Sequence, residues 1–178
     1  MRVQTVRGDI TGFRVGAVVN AANRTLLGGG GVDGAIHRAA GPELLEYCRD
    51  LPLLSPGVRC ETGMSVITPA FGLQCDRIIH TVGPVWSGGE SGEDALLAGC
   101  YRSALELAAR NGIVSIAFPA ISCGAYGFPV ERACSIAIEE SFSFSRYDKD
   151  PSRIIHVAFG EEVFWAFKES LARYQERS

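Results

Sequence analysis

The first sign of chemistry in this chain is an acidic side chain set directly behind a run of glycines. Gly28, Gly29, Gly30 and Gly31 are consecutive, and Asp33 follows after Val32. Without Cβ atoms, such a run lets the backbone approach a ligand closely and point several N–H groups into one concavity, which is a cradle for an anion. A carboxylate beside that cradle repels the ligand unless it caps a helix, contacts a hydroxyl or takes part in a reaction. Two amides, Asn20 and Asn23, stand just upstream. A second loop of small residues, Ser122, Cys123, Gly124, Ala125, Tyr126 and Gly127, carries a thiol that a helix N-terminus would activate, which opens a cysteine-hydrolase reading. No histidine stands near Cys123 in sequence. His37, one turn after Asp33, fits either an orienting partner for it or a hydrogen-bonded residue on the helix face.

Strands must deliver these loops. Ala17-Val18-Val19 is a short apolar run of the buried-strand type, and it is expected to end as Asn20 begins. Val32 to Ala40 reads as a helix whose N-terminal N–H groups and dipole reinforce the cradle. Ile113 to Phe118 repeats the pattern, leading through Ser122–Gly127 into a helix over Glu131 to Phe142 that Pro129 introduces. Val3–Arg7, Met64–Thr68, Arg77–Val82 and Arg153–Phe159 supply further strands; Pro42–Arg49, Asp94–Arg110 and Glu161–Tyr174 supply helices. Asp9 falls where the first strand turns, as an N-cap for a turn entered at Ile10, as a ligand contact, or as both. His80 lies on an apolar strand and reads as a hydrogen-bonded core residue. Strands alternating with helices predict an α/β fold, a three-layer α/β/α sandwich around a mixed, mostly parallel sheet, with ligands at the strands' carboxyl ends. Asp9, Asn20, both loops and the residues after Phe159 all fall at such ends. One site is implied.

At 178 residues the chain is expected to be one domain, 1–178. A 47% apolar content, a net charge of −3 and scattered cations do not favour nucleic acid as a partner, and no run approaches the length of a membrane span. A regulatory role on RNA would need a basic surface that this composition does not promise. Six widely spaced cysteines, with no C-x-x-C pair, read as reduced core residues in a cytoplasmic protein rather than as a metal site. Residues 29–34 satisfy G-x-G-x-x-G, yet the glycines do not follow the strand directly, so a dinucleotide fingerprint does not fit. No Lys-Ser or Lys-Thr follows them either, which removes a P-loop.

The runs GDIT at 8–11, VVNAAN at 18–23, GGGGVDGAIHRAAG at 28–41, HTVGPVW at 80–86 and SIAFPAISCGAYGFP at 115–129 resemble the macrodomain family. They are most similar to the MacroD-type ADP-ribosyl hydrolases, which include O-acetyl-ADP-ribose deacetylases. The resemblance implies that Asp9 and the Ile10 backbone hold an adenine, with Phe159 against its ring. It implies that Gly30, Gly31 and Val32, together with Ser122, Cys123, Gly124, Ala125 and Tyr126, hold a diphosphate. Asn20, Asn23 and Asp33 would surround the distal ribose, with Tyr126 closing over it and Phe128 at the core or rim. The implied activity is hydrolysis, with neither metal nor cofactor, of the ester joining ADP-ribose to an acyl group. That group would be acetate or an Asp or Glu side chain of a modified protein. Asn23 and Asp33 are the implied catalytic residues, with a water activated by Asp33, by the substrate's diphosphate, or by both. The alternative is a reader module that binds ADP-ribose and turns nothing over.

Overall fold

The computed structural model describes residues 2–144 and 151–177. Six strands form one sheet: β1 (Arg2–Arg7), β2 (Ala17–Ala22), β3 (Ser65–Pro69), β4 (Arg77–Val82), β5 (Ser115–Phe118) and β6 (Arg153–Ala158), in the order β1-β6-β5-β2-β4-β3. Neighbours are parallel except β3 and β4, which a connection too short for a crossover makes antiparallel. The helices are α1 (Gly31–Ala40), α2 (Pro42–Arg49), α3 (Glu93–Arg110), α4 (Val130–Phe144) and α5 (Glu161–Arg177). The expected three-layer sandwich with a mixed, mostly parallel sheet is the observed fold. Among the described residues no helix is long and apolar enough to cross a membrane.

Alternation along the strands divides the core in two. Ala17, Val19 and Ile79 face α3, α4 and α5, packing with Leu97, Tyr101, Phe118 and Phe167. Val18, Ala22, Ile78 and Val82 face α1 and α2, packing with Ile36 and Leu44. The same period of two puts Asn20 and His80, paired across β2 and β4, on the α1 side of the sheet.

One expectation about β2 is corrected. The strand does not end at Val19 but runs through Ala22, so Asn20 is an interior strand residue with no exposed surface. An amide interrupts the apolar run, yet its side chain finds buried partners, so the ladder continues past it. The other element ends move by one to three residues, which is fraying at the termini.

The connection from β4 to α3, residues 83–92, is stapled from below by one carboxylate. Glu93, buried at the first turn of α3, accepts hydrogen bonds from the N–H groups of Ser87 (2.9 Å), Gly89 (3.1 Å) and Ser91 (2.7 Å) and from the Ser87 hydroxyl (2.9 Å). A hydrogen bond at its own backbone N–H, followed by those from Ser87 and Gly89, outweighs burial and pulls its carboxyl down from 4.5 to about 2. A carboxyl with a depressed folded pKa stabilises the fold above its unfolded value, and that contribution is lost as pH falls through the folded one. Glu93→Gln is therefore expected to melt below the wild type at neutral pH. The gap should narrow between pH 4.5 and about 2, which thermal unfolding across that range would check.

Candidate functional site

The glycine loop is tied down by the residue that opens it. Asn23 Oδ1 accepts from the Thr25 N–H (3.1 Å) and hydroxyl (2.6 Å), while its Nδ2 donates to the Gly28 carbonyl (2.9 Å). Leu26 sits at φ +58° with its side chain buried in the core, an anchor within the loop. Gly28 (φ +88°) and Gly31 (φ +58°) take left-handed conformations that L side chains rarely adopt. Gly34 is required for a different reason: a Cβ there would stand 2.6 Å from the Gly29 carbonyl oxygen. Helix α1 starts on Gly30 with no side-chain cap. Among the described residues, the N–H groups from Gly28 to Asp33 donate to no protein acceptor. They form a donor-lined wall reinforced by the helix dipole.

The facing wall comes from β5, the neighbour of β2 in the sheet. Its loop closes on itself through Gly127 N–H to the Gly124 carbonyl (3.0 Å) and Phe128 N–H to the Ser122 carbonyl (3.0 Å). Trp86 N–H donates to the Tyr126 carbonyl (2.8 Å), binding the loop to the connection that Glu93 staples. Ser122 holds a left-handed φ of +64°, uncommon outside glycine and the mark of a constrained loop. A Cβ at Gly83 would collide with the Ser122 hydroxyl and come within 2.7 Å of Ile121 Cγ2, so only glycine lets the end of β4 lie under this loop. The N–H groups of Gly124, Ala125 and Tyr126 also donate to no protein acceptor among the described residues. Between the walls lies a cleft of about 270 Å³. Asn23, Gly30, Gly31, Val32, Asp33, Ser122, Gly124, Ala125 and Tyr126 line it, as the sequence predicts for one site. Ala21, Ala22, Gly83, Ala120 and Ile121 also line it, beyond the site residues expected from the sequence, although Gly83-Pro84 directly after a strand is the pattern that marks such a turn.

Asp33 does not cap α1. It is the third helical residue, and its Oδ1 accepts from Asn20 Nδ2 at 2.8 Å. His37 Nε2 stands 3.5 Å from the same oxygen. Oδ2 lies beside Gly29, as does Asn23 Nδ2. Burial raises the carboxyl's pKa above 3.8, against the opposing pull of the Asn20 hydrogen bond and the His37 charge. His80 is fully buried, as its apolar strand predicts, and burial lowers its pKa to about 3.

The remaining predicted residues lie off the cleft. Asn20 stands behind Asp33 and is fully enclosed, so its reach toward a ligand passes through that carboxyl. Asp9 is both exposed and a cap, its Oδ1 accepting from the Thr11 N–H (2.9 Å) and hydroxyl (2.7 Å), bonds that lower its pKa. Ile10 is buried, and Phe159 is 85% exposed. Gly8 N–H donates to the Ala158 carbonyl (3.0 Å), so Asp9 and Phe159 follow adjacent strand ends at the sheet edge, beyond the enclosed cleft. Phe128 is a core residue, packed against Trp86. The activated-thiol reading of Cys123 is corrected: burial, then the Glu162 charge, pushes its pKa up to about 12. Among the described residues no group of three or more His, Cys, Asp or Glu side chains is placed to hold a metal ion.

The Macro domain family model matches residues 19–137. A macro domain-containing protein of Xanthomonas axonopodis pv. citri is 52% identical over 97% of this chain and 96% of its own length. A Cronobacter sakazakii protein named O-acetyl-ADP-ribose deacetylase is 47% identical over 99% of this chain and 97% of its own. Among solved structures, the Oceanobacillus iheyensis macrodomain with ADP superposes with a TM-score of 0.92 at 43% identity, covering 98% of this chain and 92% of that one.

Two measurements test the geometry. Gly34→Ala is expected to lower stability to urea by about 1–3 kcal/mol, because the new methyl displaces the Gly29 carbonyl. Gly30→Ala, at φ −93° with open space around the Cβ, should stay within about 0.5 kcal/mol of the wild type. In the folded protein near pH 8, iodoacetamide should label Cys123 more slowly than it labels the unfolded chain; faster labelling would restore the activated thiol.

Proposed function

This chain belongs to the macrodomain family, and from that membership we propose that it binds ADP-ribose and hydrolyses the ester joining it to an acyl group. The observation that carries the proposal is Asp33, a buried carboxyl held by one oxygen at the foot of a cleft walled by unpaired backbone N–H groups. The donor walls suit a diphosphate, which they would hold with neither Lys nor Arg among residues 28–33 or 122–127. The ADP of the Oceanobacillus neighbour and the names of the deacetylase relatives support the ligand and the reaction. With the diphosphate between the loops, the adenine would reach Asp9 and Phe159 at the β1–β6 edge, and the distal ribose would lie toward Asn23 and Asp33.

In this reading, water attacks the acyl carbonyl carbon. Its proton passes to Asp33 Oδ2 or to the substrate's diphosphate and from there to the ribose oxygen, which leaves as a hydroxyl when the acyl C–O bond breaks. Asn23, which lines the cleft with Asp33 and whose Nδ2 also lies beside Gly29, would orient the ribose or the water. The products are ADP-ribose and a carboxylic acid. Acetate esters and esters of protein Asp or Glu side chains share that chemistry, and both are proposed substrates. The residues named act without a metal, so equal rates with and without chelator are expected. Six free cysteines support a reducing compartment, and the cytoplasm is the proposed location.

Asp33→Asn separates the enzyme from a reader. A carboxyl whose folded pKa is raised burdens the fold as pH climbs through the window from 3.8 to that raised value, so at neutral pH Asp33→Asn should melt no lower than the wild type. It should bind ADP-ribose in calorimetry and release it from an acyl ester at least about a hundred-fold more slowly. Wild-type binding without turnover would make this a reader.

A further inference from the structure

Four side chains from three strands and a helix form one buried line behind the cleft. Thr68 on β3, His80 on β4, Asn20 on β2 and Asp33 on α1 are each 4% exposed or less. The Thr68 hydroxyl donates to the Pro69 carbonyl at 3.1 Å, which leaves its lone pairs to face His80 Nε2 at 2.9 Å. A hydroxyl has one proton, so Nε2 must carry the proton of that contact. His80 Nδ1 is then the bare nitrogen, and it faces Asn20 Nδ2 at 3.0 Å. The Asn20 amide nitrogen has two protons: one goes to His80, the other to Asp33 Oδ1 at 2.8 Å.

The direction of every bond in this line is set by the one before it. If His80 carried its proton on Nδ1, Asn20 would have to turn its carbonyl toward the ring. That carbonyl would also face the Asp33 carboxylate, exchanging an attraction for a repulsion. The structure bears a cost for the observed orientation, since Asn20 Oδ1 is buried with no hydrogen-bond partner among the described residues. The result reaches the cleft: Oδ1 is occupied and Oδ2 is the oxygen presented beside Gly29.

We propose that Thr68 and His80 are positioning residues for Asp33, acting through Asn20, so that the tautomer of a histidine outside the cleft decides which carboxylate oxygen is offered to the substrate. The proposal rests on the hydrolase reading for its effect on turnover, but not for its effect on Asp33 itself. The titratable groups that face Asp33 are His37 on its own helix, His80 through Asn20, and the Cys48 thiol of α2.

The test uses the full chain, isotopically labelled, with Thr68→Val to remove the acceptor at nearly constant volume and Thr68→Ser to keep it. Nitrogen NMR of the wild type is expected to show His80 protonated on Nε2 alone, unchanged between about pH 5 and 8. In Thr68→Val the Asp33 carboxyl, followed by its carbon resonance, should titrate at higher pH than in the wild type because its donor is no longer fixed. The kcat for ester hydrolysis should fall about ten-fold, with the Kd for ADP-ribose within about two-fold. Thr68→Ser should restore both. A proton on His80 Nδ1 in the wild type overturns the proposal whether or not the variants fold. So does Thr68→Val with the wild-type Asp33 titration. If the wild type binds ADP-ribose and releases no acyl group, the hydrolase reading fails, and the tautomer and the Asp33 titration still decide the relay.

Discussion

The hydrogen bond from Asn20 to Asp33 resolves a conflict on which the rest of the site depends. A cleft walled with N–H groups is built for an anion, yet a carboxyl stands buried against it. Burial disfavours the charged form, and any ligand phosphate would disfavour it further. One donated proton from an uncharged amide, worth about 1.5–3 kcal/mol to a charged acceptor, holds the carboxyl in place without adding a cation that would compete for the ligand. A lysine in place of Asn20 would bind Asp33 more strongly and would also neutralise it.

The sheet order turns that local arrangement into an elongated site. Going inward from the edge, the strand ends are those of β1, β6, β5, β2 and β4, and they present in turn Asp9, Phe159, the Ser122–Gly127 loop, the glycine loop, and Gly83. In the proposed reading, a ligand with a flat ring, a doubly charged middle and a polyhydroxylated end would meet an aromatic face, two donor walls and a carboxyl in that order. The two walls come from strands adjacent in the sheet, so the gap between them is set by strand spacing rather than by loop flexibility. Small residues keep it open: Gly83 and Gly34 are the points where another chain segment lies too close for a methyl group.

Much of this was legible in the sequence because it is written in local pattern. Runs such as Val18-Val19 and Ile78-Ile79 mark buried strands, and the glycines and Pro129 mark where loops give way to helices. What misled was whatever depends on partners distant in sequence. Asn20 reads as the end of a strand because an amide is a poor core residue alone; its partner His80 is 60 residues away. Cys123 admits a cysteine-hydrolase alternative because the following helix is visible in the sequence and the burial of the thiol is not. His80 reads correctly as a hydrogen-bonded core residue, but nothing in the sequence near it says that the bond leads to Asp33. Glu93 gave no signal beyond following a Ser- and Gly-rich loop, although that composition is what leaves several N–H groups free to converge on one carboxylate.

Asp33 and Glu93 together show how one fold sets two buried carboxyls to opposite ends. Glu93 is enclosed by backbone N–H groups of its own loop, and its pKa falls to about 2, so it stays ionised and serves only to hold residues 87–91. Asp33 receives one amide proton, and its pKa rises. Both side chains are nearly inaccessible, but burial outweighs the single amide donor at Asp33, whereas at Glu93 the converging hydrogen bonds outweigh burial. A carboxyl saturated with donors has no lone pair left for a proton or a water. One held by a single oxygen keeps its second free, and in this cleft the free oxygen is the one beside Gly29. The incomplete solvation that makes Asp33 a poor structural element is the same property that equips it to accept a proton.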